Sequence, residues 1–167
     1  MSIGLRGMKV SHLAREALRS GTLAAVVMMP FGLAFRALGL RVNEYGMKTI
    51  AALFGAVSPR AGFALFVVEH FLIAWTAAVP LLLALRLAPE KFPPLLVGAA
   101  YGAGFYGVVN SLALPWLFGD PTPWQLGFAV VAPSLTVHLA YGISIAVTAQ
   151  GFSESGTSPA SHPTIPM

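Results

Sequence analysis

Glu69, His70, Asn110 and His138 are the residues of this sequence whose types and setting could do chemistry. Each lies within a long apolar run, where an ionisable or strongly polar side chain costs about 3 kcal/mol unless it finds a partner. Histidine titrates near neutral pH, so an imidazole in such a place can take up and release a proton. Ser134 and Tyr141 stand four residues before and three after His138, which puts all three on one helix face. A serine so placed can hydrogen-bond the imidazole or hold a water beside it. Glu69, His70, Asn110, Ser134, His138 and Tyr141 together make a candidate intramembrane polar layer.

Three readings of that layer are open from the residues alone. It is a buried hydrogen-bonded cluster that fixes helix register. It is a functional site for a proton, an ion or a small polar solute. Or His70 and His138 ligate a b-type haem, with Phe66 and Phe71 around it, since axial histidines are one way to hold haem.

Other chemistry is poorly represented. The chain has no cysteine, which removes disulfides, thiolate metal sites and a catalytic thiol. Glu69-His70 lacks the second histidine of H-E-x-x-H and runs in the wrong order. Gly102-Ala-Gly104-Phe-Tyr-Gly107 matches G-x-G-x-x-G, but that fingerprint must follow a strand and open a helix that can meet a pyrophosphate. Here it falls inside an apolar run, where glycines serve helix contact. His12 and His162 sit in polar tails. The expectation is no catalytic residue, no metal site and no enzymatic activity.

The elements that must position the layer follow from composition and pattern. Of 167 residues, 56% are hydrophobic and 10% charged, against roughly 25% charged in a soluble domain. The mean hydropathy is +0.75. The formal net charge is +4, but the basic residues flank apolar runs and form no dense patch, so nucleic acid is not an expected partner. The lipid bilayer is.

The apolar runs predict four spanning helices, at about 18–40, 61–85, 95–118 and 127–149, each near the roughly 20 residues a bilayer requires. A cleaved leader is the rival reading of the first run, but no small-x-small cleavage pattern follows it. Between the first two spans, Val42, Tyr45, Ile50, Leu53, Phe54 and Val57 recur at helical spacing with Asn43, Glu44 and Lys48 between them. That is a short amphipathic helix, lying in the interface or packed on the bundle end. The loops Arg86–Pro94 and Gly119–Gln125 are short and Pro-marked, so neighbouring spans run antiparallel. Residues 1–150 then form one transmembrane bundle, and 151–167, rich in Ser, Pro and Thr, read as a disordered tail.

Depth along the spans can also be read. Counted from the ends shared by the first and third loops, Glu69, His70, Asn110 and His138 fall within a band roughly 5 Å deep at about 1.5 Å per residue. Adjacent helix positions diverge in direction, so if His70 faces the bundle, Glu69 leans aside, toward Arg36 or solvent. Small residues crowd the third span, with Gly98 and Gly102 in G-x-x-x-G spacing. The fourth repeats Ala132, Thr136, Ala140, Ser144 and Thr148. Such stripes let helices approach closely, either within the bundle, with Gly98 and Gly102 against Ala140 and Ser144, or between subunits.

From the second span onward the chain resembles the YagU-like family, small bacterial inner-membrane proteins of unknown function. The resemblance rests on Glu69-His70-Phe71, on the Gly-rich third span ending Leu114-Pro115 before Gly119-Asp120-Pro121, and on His138-Leu139, and covers Phe63 to roughly Ile145. It implies that His70 and His138 are the family's span histidines. Asn110 stands where the family-like third span carries a histidine, and Ser134 where an acidic residue precedes the last histidine. A metal or haem site that needs all those groups would be incomplete here.

The sequence therefore predicts an all-α membrane protein: a four-helix bundle with a short amphipathic helix after the first span. The resemblance adds the bacterial inner membrane. Arg6, Lys9, Arg15, Arg19, Arg86 and Lys91 against Arg36, Arg41, Lys48 and Arg60 tilt both termini toward the cytoplasm. The leading role is proton-linked or small-solute transport through the His/Asn layer. The alternatives are an accessory or structural subunit, with a homo-oligomer or larger membrane complex as partner, and a haem protein.

Overall fold

A computed structural model of the chain describes residues 9–42, 45–89, 91–149, 151 and 152. Helix α1 spans Val10–Ala37, α2 Tyr45–Phe54 and α3 Pro59–Leu87. Helix α4 spans Pro94–Phe118, α5 is a single turn at Pro123–Leu126, and α6 spans Phe128–Thr148. Four of these, α1, α3, α4 and α6, are long and apolar enough to cross a membrane.

Local chemistry sets the ends. Ser58 caps α3 by accepting from the Ala61 N–H at 3.4 Å, with Pro59 at the first helical position, where its missing N–H costs nothing. Pro94 opens α4 in the same way. Gly119 closes α4 at φ +66°, the left-handed conformation that ends many helices. Thr122 and Gln125 form a capping box around α5, with the Thr122 N–H donating to Gln125 Oε1 at 2.8 Å.

The first span begins well before residue 18. Arg15 and Arg19 read in sequence as a polar flank, but the helix carries through them. Glu16 is buried and pairs with Arg19 at 2.6 Å one turn on, and Leu13 and Ala17 pack on the core. The Arg19 guanidinium also donates to the Thr148 carbonyl, where the exposed carbonyls at the end of α6 favour a cation. Phe152, in the segment expected to be disordered, is buried beneath Arg86, whose guanidinium carbon lies 4.9 Å from the ring centroid. Residues 153–167 lie outside the described residues, as do Asn43 and Glu44 of the amphipathic segment.

Helix α6 packs most extensively on α4 and α1, and α1 in turn on α3; α3 meets α4 and α6 over smaller areas. The core is built of small and branched residues, with Ala24, Ala25, Ala78, Leu81, Leu82, Ile145 and Ala146 fully buried. The outward faces carry exposed Val26, Leu33, Phe63, Leu72, Leu112 and Val147. In water that belt would drive aggregation; around helices of bilayer length it is the lipid-facing surface. The chain is an all-α, multi-pass membrane bundle of four spans with a short amphipathic helix between the first two. Trp116 and Trp124 are exposed at the loop end, where aromatic anchors meet the headgroups.

Helix α2 lies at that same end. It packs along α3 and is fastened to the far side of the bundle by Lys48, which pairs with Asp120. Tyr45 stacks on Phe118 at 5.8 Å between centroids with the rings 16° apart.

Candidate functional site

Helix α4 is not α-helical throughout. Tyr106–Ala113 form a π-helical segment, and the Leu114 N–H donates back to Val109 O in the wider turn. The segment ends just before Pro115, whose ring would press on the Ser111 carbonyl in an ordinary α-turn. π-segments inside α-helices often occur at functional positions, and this one carries Asn110.

Asn110 and His138 meet between α4 and α6. Asn110 Nδ2 lies 2.8 Å from His138 Nε2, and His138 Nδ1 lies 2.6 Å from the Ser134 carbonyl one turn earlier. The pair of contacts fits one neutral tautomer: Nδ1–H donates to Ser134 O, and Nε2 accepts from the Asn110 amide. The imidazole is flanked by Phe105, 5.9 Å away and near parallel, and by Tyr106 at 5.6 Å. The ring is fixed by two hydrogen bonds and two aromatic faces.

Two further polar groups stand on the same π-segment. Tyr106 is 1% and Ser111 0% exposed, and neither hydroxyl has a hydrogen-bond partner among the described residues. Buried hydroxyls without partners are uncommon and costly. Trp124 closes over Tyr106 edge to face at 5.9 Å.

The other residues of the expected layer are placed differently. His70 lies against α1, with Nε2 3.3 Å from the Ala25 carbonyl, and its ring contacts Phe66 and Phe71. Tyr141 donates to the Ala74 carbonyl of α3 at 2.6 Å. Glu69 leans toward α2 and not toward Arg36: a Cβ built on Gly46 would stand 2.7 Å from its Oε2. Of the six layer residues, Asn110, His138 and the Ser134 carbonyl make one site, while Glu69, His70 and Tyr141 each serve a different helix contact.

This arrangement does not suit a haem between His70 and His138. Both His138 ring nitrogens are already engaged, leaving none for iron, and His70 is turned to α1. Among the described residues no group of three or more His, Cys, Asp or Glu side chains could hold a metal ion.

Some contacts had no expectation behind them. Tyr101 donates to the Ala77 carbonyl at 2.6 Å, and Trp75 Nε1 to Thr22 Oγ at 2.9 Å. Trp75 was open to notice, because tryptophan prefers the membrane boundary and lies here in mid-span. Tyr106 and Ser111 gave no signal beyond being polar in an apolar run.

Compared with protein-family models, curated proteins and solved structures, the chain matches none.

Proposed function

We propose that this chain is a small inner-membrane protein of a bacterium that moves a proton or a small polar solute past the Asn110–His138 pair. The observation that carries the reading is that Asn110 meets His138 of α6 from a π-helical segment that also holds the hydroxyls of Tyr106 and Ser111, which have no hydrogen-bond partner among the described residues. Proton transfer would need a definite rearrangement. A proton arriving on His138 Nε2 turns that nitrogen from acceptor to donor. The Asn110 amide must then rotate to present its oxygen, so the amide acts as a two-position switch. The π-turn supplies local freedom for the change, and the two hydroxyls on the same segment offer hydrogen-bonding groups to a water or a polar solute.

The excess of Lys and Arg flanking the terminal ends of the spans supports cytoplasmic termini. The YagU-like resemblance supports a bacterial inner membrane and supplies no activity.

The test is proton and solute flux in proteoliposomes holding the full chain. Wild-type flux above that of empty vesicles, reduced at least tenfold in both His138→Ala and Asn110→Leu, is the expected result. Vesicles no leakier with the protein than without it, across a panel of small polar solutes and a proton gradient, would sink the reading.

A second reading has its own observation. On α4, Ala100, Ala103 and Gly104 are exposed, and nothing lies within 4 Å of a Cβ built on Gly104 or Gly107. This small-residue face suits another helix as well as lipid. An accessory subunit would copurify with a stoichiometric partner and lose it in Gly104→Leu.

A further inference from the structure

Glu69 sits on the flank of α3 that α2 covers. Ile50, Leu53 and Phe54 of α2 and Leu65, Val68 and Leu72 of α3 wall a groove of about 200 Å³, with Thr49 and Glu69 the polar residues in its lining. Leu53, Val68 and Leu72 are exposed at its rim, so the groove opens toward lipid. Glycine at position 46 lets α2 settle directly onto the carboxyl. A Cβ there would come within 2.7 Å of Glu69 Oε2 and 3.1 Å of the Phe66 ring.

Among the described residues no cation answers this carboxyl. Glu69 Oε2 is shielded from solvent and has no hydrogen-bond partner among the described residues. On α2, Lys48 is committed to Asp120 and Tyr45 to Phe118. On α3, His70 is turned to Ala25 of α1, and Arg60 lies nine residues away, about 13 Å along the helix axis. At the end of α1, Arg36 and Arg41 are exposed. An ionised carboxylate in this position would be partly desolvated, with one oxygen shielded and no cation beside it, which is disfavoured. A metal cation does not relieve it. Hard cations take about six oxygens, and the lining offers one carboxyl and one hydroxyl. The Thr49 hydroxyl donates to Tyr45 O at 3.0 Å and is also within hydrogen-bonding reach of the Glu69 carboxyl, but its single proton cannot serve both acceptors. A proton on the carboxyl supplies the missing donor.

We propose that Glu69 is a proton-binding site, a neutral carboxylic acid roofed by α2, and that loss of its proton releases α2 from the groove. The site uses none of the side chains assigned to transport above, so the two readings stand or fall separately.

The test uses the reactivity of a protonated carboxylic acid lining an apolar groove. An apolar carbodiimide, N,N′-dicyclohexylcarbodiimide, takes the acid's proton on one nitrogen while the carboxyl oxygen bonds its central carbon. The O-acylisourea then rearranges to a stable N-acylurea, a net addition with no leaving group. The full chain in mild detergent is treated in mildly acidic and in alkaline buffer, and intact mass and peptide mapping are read. Expected is one adduct per chain, mapped to Glu69, falling several-fold in alkaline buffer and absent from Glu69→Gln. The mapping on the wild-type chain does not depend on how the variant folds. No adduct at Glu69, an adduct indifferent to pH, or an equal yield in Glu69→Gln overturns the proposal.

Discussion

Gly98 of α4 and Gly142 of α6 meet backbone to backbone, so that a Cβ on either would overlap the other's carbonyl oxygen. The Cβ on Gly98 would also stand 2.8 Å from the Cβ of Ala146. One turn on, Gly102 faces the His138 carbonyl just as closely. The two spans thus touch through their main chains, the arrangement small residues permit in lipid. Gly142→Ala and Gly98→Ala should each cost about 1–3 kcal/mol, the usual effect of overpacking. Gly104→Ala, with open space around it, should stay within about 0.5 kcal/mol. Reversible unfolding in mixed micelles measures all three. Equal effects at positions 98, 142 and 104 would mean that the contact does not hold these helices together.

This contact also shows what the sequence could and could not convey. The Gly-rich α4 and its pairing with α6 were readable from small residues at four-residue spacing. The longest such row on α6 runs through Ala140 and Ser144, yet the closest approach is at His138, Gly142 and Ala146, because the residue without a Cβ decides where backbones meet. Thr136 and Thr148 of the apparent stripe turn their hydroxyls back onto the carbonyls of Ala132 and Ser144 in their own helix. Depth along a span could likewise be counted, and that placed His70, Asn110 and His138 in one band. Direction around the helix axis could not, because it depends on the order in which the helices pack. With α1 packed on α3, His70 meets Ala25. With α4 packed on α6, Asn110 meets His138. The π-segment left no trace in the pattern beyond Pro115 at its end. The early start of α1 was hidden because Arg15 and Arg19 interrupt the apolar run while the Glu16–Arg19 pair lets the helix continue.

The Asn110–His138 hydrogen bond can be weighed by a double-mutant cycle. Intramembrane hydrogen bonds average about 0.6 kcal/mol and reach about 1.7. Asn110→Leu should lie in the upper part of that range, because it strands His138 Nε2 without a donor. Once His138→Phe has removed the acceptor, Asn110→Leu should cost little further. The coupling energy from the four proteins should be about 0.5–1.5 kcal/mol. A coupling indistinguishable from zero would show that the two side chains do not bond in the folded protein.

The fastening of α2 is predicted to be local. Lys48 and Asp120 are partly exposed, and exposed ion pairs contribute about 0–1 kcal/mol. Lys48→Ala and Asp120→Asn should therefore leave global unfolding almost unchanged. Amide exchange across Tyr45–Phe54 should rise in both variants while exchange in α6 does not move. Uniform loss of protection through the four spans would instead make α2 part of the bundle's cooperative core.

Alkaline pH should act on the same helix through Tyr45. Burial against the bundle, and next the negative charge of Asp120, hold its phenol above the ordinary value, which is about 10. The docked phenol keeps its proton more tightly than the undocked one. Below about pH 10 both forms are neutral and the docked state is fully favoured. As pH rises past that value the undocked phenol ionises first, so docking weakens until the docked phenol also ionises. The Tyr45 contribution, read as the ultraviolet difference between wild type and Tyr45→Phe, should titrate above the ordinary phenol range. In Asp120→Asn it should move down toward that range without reaching it, since burial is the larger cause. A Tyr45 midpoint at or below the ordinary value in the wild type would show that α2 does not bury this ring against Phe118 and that the strap across the loop end is undone.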